Sequence, residues 1–140
     1  MKNIILIFLT VTTLLSCSND KNQEDYTAPP ELLGTWQFKG IYAHDVYDEN
    51  NMPLYTPYDN GDLITYYENN TFIHILENVE YTGTFSVING TNLTINYNPN
   101  PNGIVGGRSK LILLTENIVK LSCFNEGLCD VSRYEKVASD

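Results

Sequence analysis

Basic residues are scarce in this 140-residue chain: eight Lys and Arg stand against 17 Asp and Glu, a formal charge of −9. Such a surface repels phosphate backbones and anionic head groups, which argues against nucleic-acid binding. Histidine is scarcer still. Neither His44 and His74 nor the three cysteines fall at His-x-x-x-His or Cys-x-x-Cys spacing, so no metal site is indicated. There is no nucleophile elbow and no phosphate loop, and two unplaced histidines do not make a Ser–His–acid set. Neither an enzymatic activity nor a cofactor is expected. No apolar run reaches the roughly 20 residues that a membrane-spanning helix needs. Beyond residue 30, no segment keeps a helical period for any length.

What is present starts at the N-terminus. Lys2 is followed by a largely apolar run from Ile4 to Leu15, then by Leu14-Leu15-Ser16-Cys17. The order of positive charge, apolar stretch and small residue is that of a secretory signal peptide. The last four residues resemble the lipobox of bacterial lipoproteins. That resemblance implies cleavage after Ser16, lipidation of Cys17 with diacylglyceryl and acyl (palmitate-type) chains, and a membrane partner reached through the lipid. Ser18 after the lipidated cysteine points to the outer membrane by analogy. Removing residues 1–16 leaves 124 residues with a formal charge of −10, enough for one domain. Residues 17–30, polar, acidic and closed by Pro29-Pro30, read as a tether. Residues 31–140 form the domain. Two cysteines remain, Cys123 and Cys129, an even number that suits an oxidising compartment.

The domain consists of short runs rich in Ile, Val, Leu, Tyr, Phe and Thr, separated by Asn, Gly and Asp, which is a strand pattern. Eight strands are expected, at residues 34–42, 62–67, 71–77, 80–87, 92–97, 109–115, 118–124 and 128–137. Most connections are short enough for hairpins. The two long ones, residues 43–61 and 98–108, follow strands one and five. In a meander those connections share one end, so the domain should have a plain floor and an elaborated rim. Eight such strands suit an all-β, antiparallel up-and-down barrel with room for a small ligand. A two-sheet sandwich would use the same strands.

Several motifs carry a family resemblance. Leu32-Leu33-Gly34-Thr35-Trp36 resembles the Gly-x-Trp signature that opens the first strand of lipocalins. The run Tyr66-x-x-Asn-Asn-Thr-Phe72, Gly83-Thr84-Phe85-Ser86-Val87 with Leu93-Thr94-Ile95, and Arg133-Tyr134-Glu135-Lys136-Val137 is similar to bacterial lipocalin-like lipoproteins. Asn69-Asn70 stands where that family more often has Asp-Gly, and Phe85 where Trp is frequent. The resemblance implies an eight-stranded calyx for a small hydrophobic molecule. It also implies that Arg133, on the last strand, packs over Trp36 as a structural clamp; the alternative for Arg133 is a ligand anchor.

Alternation with period two assigns faces independently. Trp36, Phe38, Gly40 and Tyr42 should share a face. Phe72, His74 and Leu76, then Tyr81, Phe85 and Val87, then Leu93, Ile95 and Tyr97 should point inward. Val119, Leu121 and Cys123 follow, with Cys129, Val131 and Arg133 across the turn. The expected ligand-facing set is Phe38, Tyr42, Tyr66, His74, Phe85 and Tyr97, behind a lid formed by residues 43–61. His74 reads as an interior histidine, and residues 44–51, though acidic, lack the ligand spacing of a calcium loop. Ten Tyr are many for this length; a ring with a polar tip suits a rim that meets both water and an apolar ligand.

The last hairpin makes the sharpest expectation. Asn125-Glu126-Gly127 suits a three-residue turn, with Gly127 at its left-handed position. Phe124 then pairs with Leu128, and Cys123 lies opposite Cys129 with Cα atoms about 4.5 Å apart, within disulfide reach. Two reduced thiols side by side are the alternative. Three functions remain open: a lipid-anchored binding module, an interaction or inhibitor module that meets an envelope protein through its rim loops, and, third, an enzyme.

Overall fold

The computed structural model describes residues 28–98, 106–124 and 129–138. The proposed leader, Cys17 and most of the tether lie outside the described residues, as do the turn at 125–127 and residues 99–105. Among the described residues nine strands form one antiparallel sheet: β1 (Gly34–Tyr47), β2 (Pro53–Pro57), β3 (Leu63–Tyr66), β4 (Thr71–Leu76), β5 (Val79–Ile88), β6 (Asn92–Tyr97), β7 (Arg108–Leu114), β8 (Ile118–Cys123) and β9 (Val131–Lys136). The order runs β2-β1-β3-β4-β5-β6-β7-β8-β9, and β1 also pairs with β9. Eight strands therefore close into an up-and-down barrel, and β2 is an addition.

That addition corrects the expectation of a lid. Residues 43–61 do not fold over the opening as a loop. β1 runs on to Tyr47, turns, and returns as β2, which takes the edge of upper β1 beyond the reach of β3: Gly40 pairs with Pro57 and Tyr42 with Tyr55. Pro53 and Pro57 at the two ends of the return obscured it, because proline disrupts a sheet ladder. An edge strand tolerates proline, since one of its sides makes no sheet hydrogen bonds.

The floor is closed. A single 3-10 turn at Pro30–Leu32 lies beneath the barrel and leaves Leu32 fully buried. Trp36 is fully buried above it and donates from Nε1 to the Leu32 carbonyl at 2.7 Å. Ile64, Tyr66, Phe72, Phe85, Val87, Leu93, Leu111 and Val119 complete a continuous core. Gly83 makes room for it: a Cβ there would stand 2.8 Å from the Phe72 ring and 2.1 Å from the Asn96 carbonyl. The floor turns are tight, and left-handed Asn70, Asn89 and Gly90 supply the conformations that two of them require.

Local departures from unbroken alternation decide which side chains face inward, among them a bulge in β7 between Leu111 and Leu113. Lys39 is the extra residue of a bulge: Phe38 pairs with Tyr134, but Gly40 pairs with Arg133. Trp36 and Phe38 therefore face the lumen, while Gly40 and Tyr42 face outward, contrary to unbroken alternation. The β8–β9 register is also one residue off expectation. Val119 pairs with Tyr134 and Leu121 with Ser132, a register that places Cys123 opposite Asp130. Because a one-residue slip exchanges faces, Ser132, Tyr134 and Lys136 point inward, and Val131, Arg133 and Glu135 point out. The disulfide forms nonetheless. Cys123 and Cys129 are bonded, with Cα atoms 6.1 Å apart instead of the 4.5 Å of a directly opposed pair.

Candidate functional site

Burial falls from floor to mouth. Trp36 and Phe72 are at most 1 % exposed, whereas Phe38, His74, Tyr81, Ile95, Tyr97, Leu121 and Tyr134, one or two pairs higher on the same inward face, are all half-buried. The strand ladders bring these residues together. His74 on β4 pairs with Ile64 and Tyr81, Tyr97 on β6 pairs with Gly83, and Phe38 on β1 pairs with Tyr134. Asp62 precedes β3 with the same parity as Ile64 and Tyr66, so it faces in, and its carbonyl accepts from the Phe38 amide at 2.9 Å.

Two aromatic walls result. One is Phe38 with Tyr58 and Tyr134, at centroid distances of 5.2 and 5.4 Å. The other is Tyr97 with Phe72 and Tyr81, edge-on at 5.1 and 6.2 Å. In an eight-stranded barrel of this order β1 stands across from β6 and β9 across from β5. The walls therefore oppose each other, with β3 and β4 on one flank and β7 and β8 on the other.

The β3–β4 flank carries a polar relay. His74 bonds through Nε2 to Asp62 Oδ2 at 2.5 Å and through Nδ1 to the Tyr97 hydroxyl at 2.6 Å. The two side chains of the acid–imidazole pair are 15 % and 13 % exposed. An imidazole that donates from Nε2 to a carboxylate has, when neutral, only Nδ1 left to accept, and Tyr97 O–H fills it. The second oxygen of Asp62 has no hydrogen-bond partner among the described residues.

The field of this flank reaches the phenols. Burial raises Tyr97 above the ordinary phenol value, and the Asp62 charge and Tyr81 add to it. Tyr66 is raised further, first by burial and then by Tyr134, Tyr97 and Asp62; Tyr134 is raised by burial, Asp62 and Tyr97. A phenol that stays protonated in the fold while the unfolded chain ionises contributes stability that is complete below about pH 10. That contribution is lost as the pH rises towards the folded values. Alkaline difference absorbance should therefore show Tyr66 and Tyr134 ionising only together with unfolding. Their smooth titration near pH 10 in folded protein would contradict this packing.

Of the six side chains expected to face a ligand, Phe38, His74 and Tyr97 line the mouth. Tyr66 and Phe85 point inward but are 3 % exposed and belong to the packed floor. Tyr42 is outside. Its ring lies 4.7 Å from Tyr55 and 4.2 Å beneath Lys120 Nζ, and its hydroxyl accepts from Arg133 at 3.2 Å. Burial alone would raise its pKa, but the Arg133 hydrogen bond and the Lys120 and Arg133 charges outweigh that and lower it. Arg133 also donates to Glu135 at 2.6 Å, so it ties the β1–β2 arm to the barrel wall and does not touch Trp36. The cation over Trp36 is Lys136, with Nζ 5.1 Å from the ring centroid. The one-residue register slip exchanged the two.

Solved structures were compared with this arrangement. A lipocalin-like protein from Bacteroides uniformis matches with a TM-score of 0.53 and 17 % identity, over 76 % of this chain and 99 % of its own. A DUF4847 family protein from Bacteroides vulgatus matches with a TM-score of 0.54 and 17 % identity, over 79 % of this chain and 97 % of its own. The fold is a lipocalin-like β-barrel. At that identity the likeness extends to the fold alone. No protein-family model matches the chain, and the comparison with curated proteins found no match either. Within the lipocalin-like barrel, sequence reasoning passed over Asp62, Tyr134 and Lys136 as functional positions, and had Tyr58 only as one of the tyrosines of the rim loop. Asp62 had a usable cue in its parity with Ile64 and Tyr66. For Tyr134 and Lys136 both phases of the last strand read equally well. Among the described residues no group of three or more His, Cys, Asp and Glu side chains is placed to hold a metal ion.

Proposed function

We propose that this is a lipid-anchored envelope protein, without catalytic activity, whose barrel holds a small hydrophobic molecule at its mouth. The observation that carries the reading is the burial gradient: inward side chains are fully buried at Leu32 and Trp36 and only half-buried higher up, where two aromatic walls face each other. Pockets of that make, apolar with a few convergent polar groups, are the usual form of small-molecule sites. The chain enters the barrel at its floor, the end opposite the mouth, and the membrane that an anchor at Cys17 would reach we take to be the outer membrane. Native mass spectrometry of the protein purified from its own host should show a co-purifying molecule of small mass. Protein that carries none, and binds none of a panel of apolar probes, would overturn the binding reading.

The anchor has its own test. Stable attachment takes at least two acyl chains, which a lipidated Cys17 supplies. Cys17→Ala is expected to move the protein from the membrane to the soluble fraction. A wild-type N-terminal peptide still beginning at Met1 would contradict the anchor.

A second reading, contact with an envelope protein through the rim, draws on the arm. Val46, Tyr47, Met52 and Leu54 there are each 43–61 % exposed, beside acidic Asp45, Asp48 and Glu49. A protein partner that co-purifies and is lost on Met52→Ser with Leu54→Ser would favour it.

A further inference from the structure

The mouth is not a uniform apolar cup, and its asymmetry has chemical content. The walls are rings: Phe38, Tyr58 and Tyr134 on one side, Tyr81 and Tyr97 on the other. Two opposed aromatic walls suit a flat molecule that presents its faces to both. Of the two flanks, β7–β8 offers Leu121 and Leu111. The other offers the relay.

The relay presents acceptors. Whichever ring nitrogen of His74 carries the proton, the second oxygen of Asp62 accepts from no described residue, and the Tyr97 oxygen keeps a lone pair beside it. Neither Lys nor Arg lies at this level among the described residues, and the imidazole of His74 is paired with Asp62. Arg133 and Lys120 lie on the outer face with Tyr42, Lys39 bonds outward to Gln37, and Lys136 is at the floor over Trp36. The whole chain, at −9, adds a negative background. Aromatic faces are themselves negative at their centres and attract ammonium or guanidinium-like groups.

We propose, resting on the binding reading above, that the mouth selects a flat aromatic or polycyclic molecule that carries a positive charge. The apolar body lies between the two aromatic walls, and the cationic N–H edge is turned to Asp62 and the Tyr97 oxygen. An anionic amphiphile of the fatty-acid kind is disfavoured, because its carboxylate would face Asp62 with no Lys or Arg to meet it.

Three tricyclic probes of one outline separate charge from shape: 9-aminoacridine as the cation, acridone as the neutral compound and 9-anthracenecarboxylate as the anion. Titrated into the purified protein at pH 7 and followed by fluorescence, the cation should bind about tenfold tighter than the neutral compound, and the anion weakest. Asp62→Asn keeps the shape and should remove most of that tenfold preference, with acridone unaffected. Tyr81→Ser, on a half-buried mouth residue, should weaken the cation and acridone alike. Glu116→Gln, on an exposed floor turn, should change neither. The inference is overturned if the anion binds as tightly as the cation, if Asp62→Asn leaves cation binding unchanged, or if Glu116→Gln weakens it equally. In each of those cases binding that remains sensitive to Tyr81→Ser keeps the barrel-binding reading alive. Failure of all three probes to bind would remove both.

Discussion

Replacing Trp36 with alanine is expected to destabilise the protein by about 3–5 kcal/mol, the range for deleting a fully buried large aromatic side chain. Trp36 is 0 % exposed, and the indole is wedged between the floor turn and the first layer of the core. Its loss leaves a void and also strips the Leu32 carbonyl of its 2.7 Å donor. Small domains retain only about 5–15 kcal/mol of net stability, so the variant should sit near the edge of folding. Urea denaturation checks it: the midpoint should fall sharply with little change in slope. Trp36→Phe keeps a ring and loses the hydrogen bond, so it should cost less. Lys136→Met removes only the cation above the ring and should cost under about 1 kcal/mol. If Trp36→Ala lost less than about 1.5 kcal/mol, the floor would not be the sealed end described here.

Much of this architecture was legible because period-two alternation survives wherever the ladder is regular. Phe72 and His74, Phe85 and Val87, and Leu93, Ile95 and Tyr97 face inward as their spacing dictates, with no interruption between them. The distinction between a plain floor and an elaborated rim also followed from loop lengths alone, since strand count fixes which connections share an end. What failed did so for local reasons. At Lys39 one inserted residue reverses the phase of β1, and nothing in Phe38-Lys39-Gly40 marks a bulge except the glycine. At the last hairpin the two cysteines suggested a directly opposed pair, and that assumption set the phase of β9. The disulfide tolerates a Cα separation of 6.1 Å, so it did not constrain the register as tightly as a tight turn would have done. One wrong residue in register then moved Arg133 inward on paper and Lys136 outward, and hid Tyr134 from the mouth. Asp62 was missed for a different reason: a lone carboxylate at the start of a strand, where the sequence already placed it, points to no chemistry until its histidine partner is placed by the fold.

These errors share a consequence for function. The same bulge that turns Gly40 and Tyr42 outward creates the outer platform on which the arm rests. Tyr55 donates from its hydroxyl to the Lys39 carbonyl at 2.7 Å and packs on Tyr42, while Arg133 lies 5.9 Å from the Tyr55 ring. Tyr58, the residue after β2, then reaches back to Phe38 at the mouth. The arm is thus coupled to one aromatic wall of the candidate site through a single hinge.

Gly40→Val should release that hinge. Gly40 holds φ +148°, a conformation that side-chain-bearing residues rarely adopt, and a Cβ there would stand 2.3 Å from the Thr56 carbonyl and 2.8 Å from the Tyr55 hydroxyl. Strain of the first kind costs about 1–3 kcal/mol. Overpacking costs a similar amount. The three nearest atoms, the Thr56 carbonyl oxygen and two atoms of the Tyr55 side chain, all belong to β2, which has no second strand neighbour. The cheaper relief is therefore for β2 to lift away and leave the barrel closed by the β1–β9 pairing. Hydrogen exchange should show it: the Tyr58 amide, which donates to the Lys39 carbonyl at 2.8 Å, should lose protection by about two orders of magnitude or more, at about 1.4 kcal/mol per tenfold. The Ile95 amide, which donates to the Gly107 carbonyl on the far side, should stay protected to within the smaller global loss. Equal loss at both would mean that arm and barrel unfold as one unit, and that the platform under Tyr42 is part of the barrel's own core.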